Sequence, residues 1–147
     1  MGKVDQGVIA YWLLAHHFGR PLRYIGYGGS GKQVRDVLHI DDAVDLIERE
    51  LLEPERYAGR VLNAGGGPAC SFSLHELTSL CREVTGREVA VTGSDEGRPG
   101  DVPWYVTDAS QLYELDERRP TRSLRDVLED TYAWIAAHED ALATVLA

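Results

Sequence analysis

Two short stretches of this chain carry residue types suited to gripping an oxyanion. The first, Gly31-Lys32-Gln33-Val34-Arg35-Asp36, offers Gln33 and Arg35; the second, Arg98-Pro99-Gly100-Asp101, offers Arg98 and Asp101. A guanidinium presents planar paired donors that match phosphate oxygens, and it keeps its charge at any working pH. Arg35 and Arg98 are therefore candidate anion ligands, Asp101 is an acceptor suited to a hydroxyl, and Gln33 can donate or accept. Each residue also has a plainer reading. Arg35 could be a solvated strand arginine paired with Asp36, Arg98 and Asp101 a local ion pair in a surface turn, and Gln33 a solvent-facing amide.

Other patterns that suggest chemistry fail on their context. Gly26, Gly28 and Gly31 spell GxGxxG, and Gly26 to Lys32 spells GxxxxGK, the opening of a P-loop. A dinucleotide fingerprint must run from strand into helix so that the pyrophosphate meets the helix N-terminus. Here the glycines lead into a strand pattern, and Gln33 stands where a P-loop needs Ser or Thr for magnesium. A flexible, hairpin-like loop is the reading that remains. Asp41 and Asp42 look like paired acid/base carboxylates but stand where a helix begins, which makes them caps. The five histidines form no HExxH or similar pair, and Cys70 and Cys81 lack zinc-ligand spacing, so no metal is assigned and the cysteines read as reduced and structural. Trp12, Trp104 and Trp134 lie in apolar patterns and are expected in core or edge packing.

The elements that must position these residues follow from periodicity and punctuation. Residues 6–18 are apolar around most of a helical circumference and end at Gly19, which predicts a helix buried on several sides. Residues 22–25 predict a short strand, 34–40 alternate like a strand, and a helix capped by Asp41 or Asp42 follows to about Leu52. Residues 61–63 predict another strand, closed by a loop in which Gly65, Gly66 and Gly67 let two segments approach closely. Ser73 and Glu76 fit a capping box for a helix that stops at Gly86. A strand over 88–92, a short helix over 109–115 capped by Asp108, and a last helix from Ser123 to about Leu146 complete the chain. The expectation is α/β, short strands with 4–5 helices, in a single domain over residues 1–147.

Composition bounds the function. With 147 residues and 44% apolar content the chain can fill one core. A net charge of −9 argues against a nucleic-acid partner, while single arginines can still hold a small diphosphate. There is no apolar run of 18 residues and no signal-peptide pattern at the start, so the expectation is a soluble cytoplasmic protein without a membrane partner.

Three segments together resemble the C-terminal half of the extended short-chain dehydrogenase/reductases, the NAD-dependent epimerases and dehydratases of nucleotide sugars. They are Gly31 to Asp42 (GKQVRDVLHIDD), similar to the family's G-x-Q-x-R-D-x-x-x-V-x-D; Asn63 to Gly67 followed by the Ser73-Leu74-x-Glu76-Leu77 helix start; and Arg98 to Asp101 with Asp108 seven positions on. Order and spacing agree over essentially the whole chain. The wording KQVRDVLHIDD and the start Val4-Asp5-Gln6-Gly7 are similar to the CDP-paratose (tyvelose) 2-epimerase-like branch.

The resemblance implies the small substrate-binding lobe of that fold, with a nucleoside-diphosphate sugar as ligand. It implies an isomerase reaction in which bound NAD removes and returns a hydride. It gives Arg35 and Arg98 the diphosphate, Asp101 a ribose hydroxyl and Gln33 a contact to the nucleotide. The sequence departs from the family in lacking the N-terminal Rossmann half with its GxxGxxG turn and the catalytic Tyr-x-x-x-Lys pair. None of the seven tyrosines has a lysine four residues later, and the only lysines are Lys3 and Lys32. Hydride chemistry needs a cofactor carbon set against the substrate and a base for the hydroxyl proton. The expectation is a binding part that holds no NAD alone and acts with a cofactor-binding lobe or by self-association. An uncovered face on the apolar helix over 6–18 would drive such association. A truncation, an internal start and one half of a split pair all fit; a noncatalytic relic acting through a partner chain is the alternative.

Overall fold

In the computed structural model, which describes residues 7–97 and 100–146, helix α1 (Val8–Phe18) is wrapped by its neighbours. It packs against α4 (Leu74–Thr85) and α6 (Leu124–Ala137), burying Trp12, Leu13 and Ala15 against Leu77, Leu128 and Ile135. Its apolar circumference is thus used internally. Tyr11 is the only large apolar side chain of α1 more than a third exposed, so the association face expected here is not on this helix.

Two small sheets lie beside these helices. Strand β1 (Leu22–Ile25) pairs in parallel with β4 (Val91–Ser94), Leu22 opposite Val91. Ladder pairing begins three residues later than the alternation from Glu88 predicts, although the Leu22 N–H already donates to the Ala90 carbonyl at 2.8 Å. Strand β2 (Val34–Asp36) pairs antiparallel with β3 (Ser71–Ser73), placing Arg35 opposite Phe72.

The strand expected to reach Ile40 stops at Asp36 because His39 is taken by the next helix, α2 (Ile40–Leu52). His39 Nδ1 accepts the Asp41 N–H at 3.1 Å, which leaves Nε2 to donate to Asp130 at 3.1 Å. The cap is therefore His39 rather than Asp41 or Asp42. Those two occupy the first turn, and buried Asp42 accepts from the N–H and hydroxyl of Thr121 and from the N–H and Nη1 of Arg122.

The local signals at α4 and α6 are realised as read. Ser73 with Glu76 and Ser123 with Asp126 form reciprocal capping boxes, and Gly86 closes α4 with φ 66°. Single-turn α3 (Pro54–Tyr57) was not foreseen, and α5 (Ser110–Leu115) begins where Asp108 accepts the Ser110 N–H at 2.9 Å. The long last helix is split at His138, whose ring bonds back to the Trp134 carbonyl at 2.8 Å before α7 (Glu139–Leu146) starts. Seven α-helices result among the described residues, more than the 4–5 expected, because of the split and the extra turn. Trp12 is core, whereas Trp104 and Trp134 are exposed, one bridging to Val34 and the other stacked on His138.

Residues 61–63 form no strand. Leu62 packs on a second cluster of Leu46, Tyr57 and Leu112, while Val61 is 93% exposed and no neighbouring segment offers a ladder among the described residues. Above that cluster, buried Asp116 receives the Tyr57 hydroxyl at 2.8 Å and both the N–H and Nε of Arg118 at 3.0 Å, with Arg49 Nε 2.9 Å away. Burial pushes this carboxyl up, but the Arg118 and Tyr57 hydrogen bonds outweigh it and hold the group well below the usual carboxylate range.

Two predictions follow from this packing. An ideal Cβ on Gly66 would sit 1.9 Å from the Val37 carbonyl oxygen, so Gly66→Ala should cost about 2–3 kcal/mol in urea unfolding; an unchanged midpoint would contradict the close approach. Asp116 has a depressed folded-state pKa, so its stabilisation is complete above the ordinary aspartate value of about 3.9 and is lost as pH falls through the folded value. Wild type should therefore weaken steeply below about pH 4, and Asp116→Asn should flatten that slope while costing about 2–3 kcal/mol at pH 7.

Candidate functional site

Side chains alternate along β2, so Gln33 and Arg35 point to one side and Asp36 to the other. Asp36 is occupied on its own side: it accepts the Gly67 N–H at 2.9 Å and the Thr107 hydroxyl at 3.2 Å. A pair between Arg35 and Asp36 does not form. Instead the chain after β4 returns alongside β2, with the Val34 N–H on the Pro103 carbonyl at 2.9 Å and the Tyr105 N–H on the Val34 carbonyl at 3.0 Å. That return brings Asp101 to Arg35.

Arg35 Nη2 donates to Asp101 Oδ1 at 2.5 Å, and each side chain is 27% exposed. Its Nη1 donates to the Val34 carbonyl at 2.6 Å. The Asp101 backbone is held by the Tyr27 hydroxyl, which donates to its carbonyl at 2.8 Å. Gln33 is 4% exposed rather than solvent-facing; its Nε2 donates to the Ile25 carbonyl at 2.6 Å, and its Oε1 has no hydrogen-bond partner among the described residues. An orphaned buried acceptor costs about 1–3 kcal/mol, so a donor supplied from the adjacent cavity would relieve it.

Gln33, Arg35 and Asp101 line one cavity of about 460 Å³, with Tyr11 and Trp12 on one wall and Arg23 and Ile25 on another. This is the size of a small-molecule pocket. Of the four residues singled out in the sequence, three are brought together, and Arg98 lies outside the described residues. Arg23 was missed. Leu22 and Tyr24 are buried, so alternation turns Arg23 and Ile25 to the cavity, where Arg23 is exposed and makes no ion pair among the described residues.

The remaining candidates do not compete. The Gly26–Gly31 loop holds a 3-10 turn (Tyr27–Gly29), enters β2 rather than a helix, and has its Gly28 N–H on Asp95 Oδ1 at 3.0 Å. It is not a pyrophosphate cradle. A smaller cavity of about 260 Å³ beside α2 and α5 is lined by Asp42, Arg49 and Arg118, whose charges are already engaged in the ion pairs that hold Asp42 and Asp116. Cys70 and Cys81 are buried and unbridged; burial pushes both thiols up, Cys81 to about 12. No helix among the described residues is long and apolar enough to cross a membrane.

Short strands between helices and a pocket built from an Arg–Asp pair define an α/β lobe of the extended short-chain dehydrogenase/reductase kind. The model of the NAD dependent epimerase/dehydratase family matches residues 1–65. This chain belongs to that family. It is 30% identical over 109 residues to the CDP-paratose 2-epimerase of Salmonella typhi, a match covering 74% of this chain and 32% of the relative. It is 36% identical over 107 residues to GDP-L-fucose synthase 1 of Arabidopsis thaliana, covering 72% and 31%. The chain thus spans about a third of the length of these curated relatives. Among solved structures it is similar to the UDP-glucose 4-epimerase of Thermotoga maritima with UDP-glucose, with a TM-score of 0.73 and 26% identity over 90% of this chain and 40% of that one.

Proposed function

We propose that this chain binds a nucleoside-diphosphate sugar in the Arg35–Asp101 cavity, as the substrate-binding part of an NAD-dependent sugar-nucleotide epimerase or dehydratase. The convergence of Gln33, Arg35 and Asp101 on one cavity carries the reading. The UDP-glucose named with the Thermotoga maritima relative supports the ligand class.

In this reading the Arg35–Asp101 pair is the resting state of the site. A partly exposed ion pair is worth about 1 kcal/mol or less, so a diphosphate can draw Arg35 away at little cost and offer a doubly charged partner in exchange. Asp101, released, accepts from a ribose hydroxyl, and the orphaned Gln33 Oε1 accepts from a donor on the nucleoside. The family resemblance gives Arg98, three positions before Asp101 in the sequence, the role of a second guanidinium, and Arg23 supplies a third from β1.

NAD in the family removes and returns a hydride on the sugar. The glycine loop described here does not fit its pyrophosphate, and the sequence holds no Tyr-x-x-x-Lys to act on the hydroxyl proton. Epimerisation, an isomerase activity in the cytoplasm, needs a cofactor-binding lobe set beside this cavity. A second reading, a noncatalytic nucleotide-sugar binder, uses the same cavity.

Calorimetric titration with UDP-glucose and a CDP-sugar tests the site. Arg35→Ala should weaken binding at least about tenfold, the loss of one charge-assisted hydrogen-bonding group, and Arg23→Ala should weaken it a few fold. Binding that survives replacement of both Arg35 and Arg98 by Ala would refute the arginine grip. Asp101→Asn separates two roles: affinity falls if the carboxylate receives a ribose hydroxyl and rises if Asp101 merely competes with phosphate for Arg35. We expect a fall.

A further inference from the structure

The glycine loop between β1 and β2 has no part in the function proposed above, yet it is fastened to β4. The Gly26 N–H donates to the Ser94 carbonyl at 2.8 Å, the Gly28 N–H to Asp95 Oδ1 at 3.0 Å, and the Gly29 N–H closes the turn on the Gly26 carbonyl at 2.9 Å. An ideal Cβ on Gly29 would come within 2.6 Å of the Ser94 nitrogen, so loop and strand are in direct backbone contact. The one long side chain on this turn is Tyr27. Its φ of 51° makes it the only residue other than glycine with a positive φ among the described residues. Glycine adopts that conformation freely, whereas an aromatic residue holds it only where its surroundings impose it. From there the Tyr27 hydroxyl reaches 74 positions along the chain and donates to the Asp101 carbonyl at 2.8 Å. No other hydrogen bond holds the Asp101 backbone among the described residues; the next anchor downstream is Pro103, whose carbonyl takes the Val34 N–H.

We propose that Tyr27 is a positioning residue that makes the site selective for ribose: its hydroxyl pins the Asp101 backbone while the Asp101 carboxylate changes partner from Arg35 to the ribose hydroxyls. The proposal rests on the functional reading above and adds to it a residue that does not itself line the cavity. In the resting pair the carboxylate is tethered by Arg35 Nη2 at 2.5 Å. Once a diphosphate takes the guanidinium, that tether is gone, and a carboxylate on a loose backbone would follow the cation or turn to water. Gly100, with φ 79°, gives no stiffness on the upstream side. With its carbonyl held by Tyr27, Asp101 keeps only side-chain torsions to reorient, so accepting from ribose costs little further ordering. The post itself is steady: Tyr27 is gripped through its own carbonyl, which takes the Ser30 hydroxyl at 3.1 Å, and through the loop's contacts with β4. A ligand without ribose hydroxyls gains nothing from this arrangement. The contribution of Tyr27 therefore shows as discrimination between sugar nucleotides and not as grip on phosphate.

Calorimetry of the full chain with UDP-glucose, its 2′,3′-dideoxyribose analogue and inorganic pyrophosphate tests this role. Wild type should prefer UDP-glucose to the dideoxy analogue by about tenfold or more. Tyr27→Phe keeps the ring and removes only the hydroxyl; it should shrink that preference to about threefold or less and leave pyrophosphate affinity within about twofold. In an Asp101→Asn background the same substitution should change UDP-glucose affinity by less than about twofold, because Tyr27 acts through the carboxylate. A merely structural tyrosine would behave otherwise. Full preference retained in Tyr27→Phe, equal weakening of all three ligands, or the same loss of UDP-glucose affinity with and without Asp101→Asn each overturns the proposal. Tyr27→Gly suits a φ of 51° and should lose the preference to the same extent, which keeps the test open if the phenylalanine variant folds poorly. Absence of UDP-glucose binding in wild type would sink the functional reading itself. Binding with a ribose preference that ignores Tyr27 would sink only its positioning role.

Discussion

Three residues of backbone, Val34 to Asp36, hold the site together because their side chains must alternate. Asp36 on one side ties down Gly67 and Thr107, and Gln33 and Arg35 on the other aim into the cavity. Neither side can turn without the other. The strand is too short to hold its register by ladder bonds alone, and it is gripped from both edges, by β3 and by the return of residues 103–105. Gly66 completes the restraint by letting its loop lie directly against the Val37 carbonyl, a distance no side chain would allow. The direction of Arg35 is therefore set by a close backbone approach on the far side of the strand.

The acidic balance of the chain does not oppose an anion site, because the charges are sorted by place. Arg49 and Arg118 are engaged with Asp116, Arg122 with Asp42 and Asp45, and Arg125 with Glu83. These pairs join α2 to the segment before α6 and α4 to α6, and they are structural. Around the cavity the proportion differs: Arg23 and Arg35 face it with Asp101 as the one carboxylate among the described residues of its lining. The local field there is cationic or neutral while the molecule as a whole is negative. In the function proposed above, a diphosphate would exchange one partner of Arg35 for another and expose no buried charge, which keeps the cost of opening the pair small.

What the sequence discloses well is whatever depends on neighbours within four residues. The Ser73–Glu76 capping box, the helix start at Ser123, the left-handed stop at Gly86, the turn at the Gly26 loop and the closely packed glycines at 65–67 are of this kind. Its errors are contests that a distant residue decides. His39 caps α2, ahead of the more obvious Asp41, because Asp130, 91 positions away, fixes its other ring nitrogen. Asp42 leaves the role of cap for Thr121 and Arg122. Gln33 is buried rather than solvated because the Ile25 carbonyl takes its amide across the glycine loop. Arg23 was legible in principle, since alternation with buried Leu22 and Tyr24 fixes its side, but nothing local says that this side is a cavity wall. Arg35 drew attention through its motif, while its partner could be known only once the chain returned with Asp101.

The segment at 61–63 is an error of another kind, and it carries information. Its pattern is that of a strand, and Leu62 is seated as a strand residue would be, yet strand structure exists only where a second backbone supplies donors and acceptors. The other expected strands at 22–25, 34–40 and 88–92 each find at least a shortened or shifted ladder; here context is missing and preference remains. The same mismatch appears on α2, where the periodicity of a buried helix face is intact but the burial is not. Two adjacent elements, joined through Leu46 and Leu62, thus each carry the pattern of a covered surface.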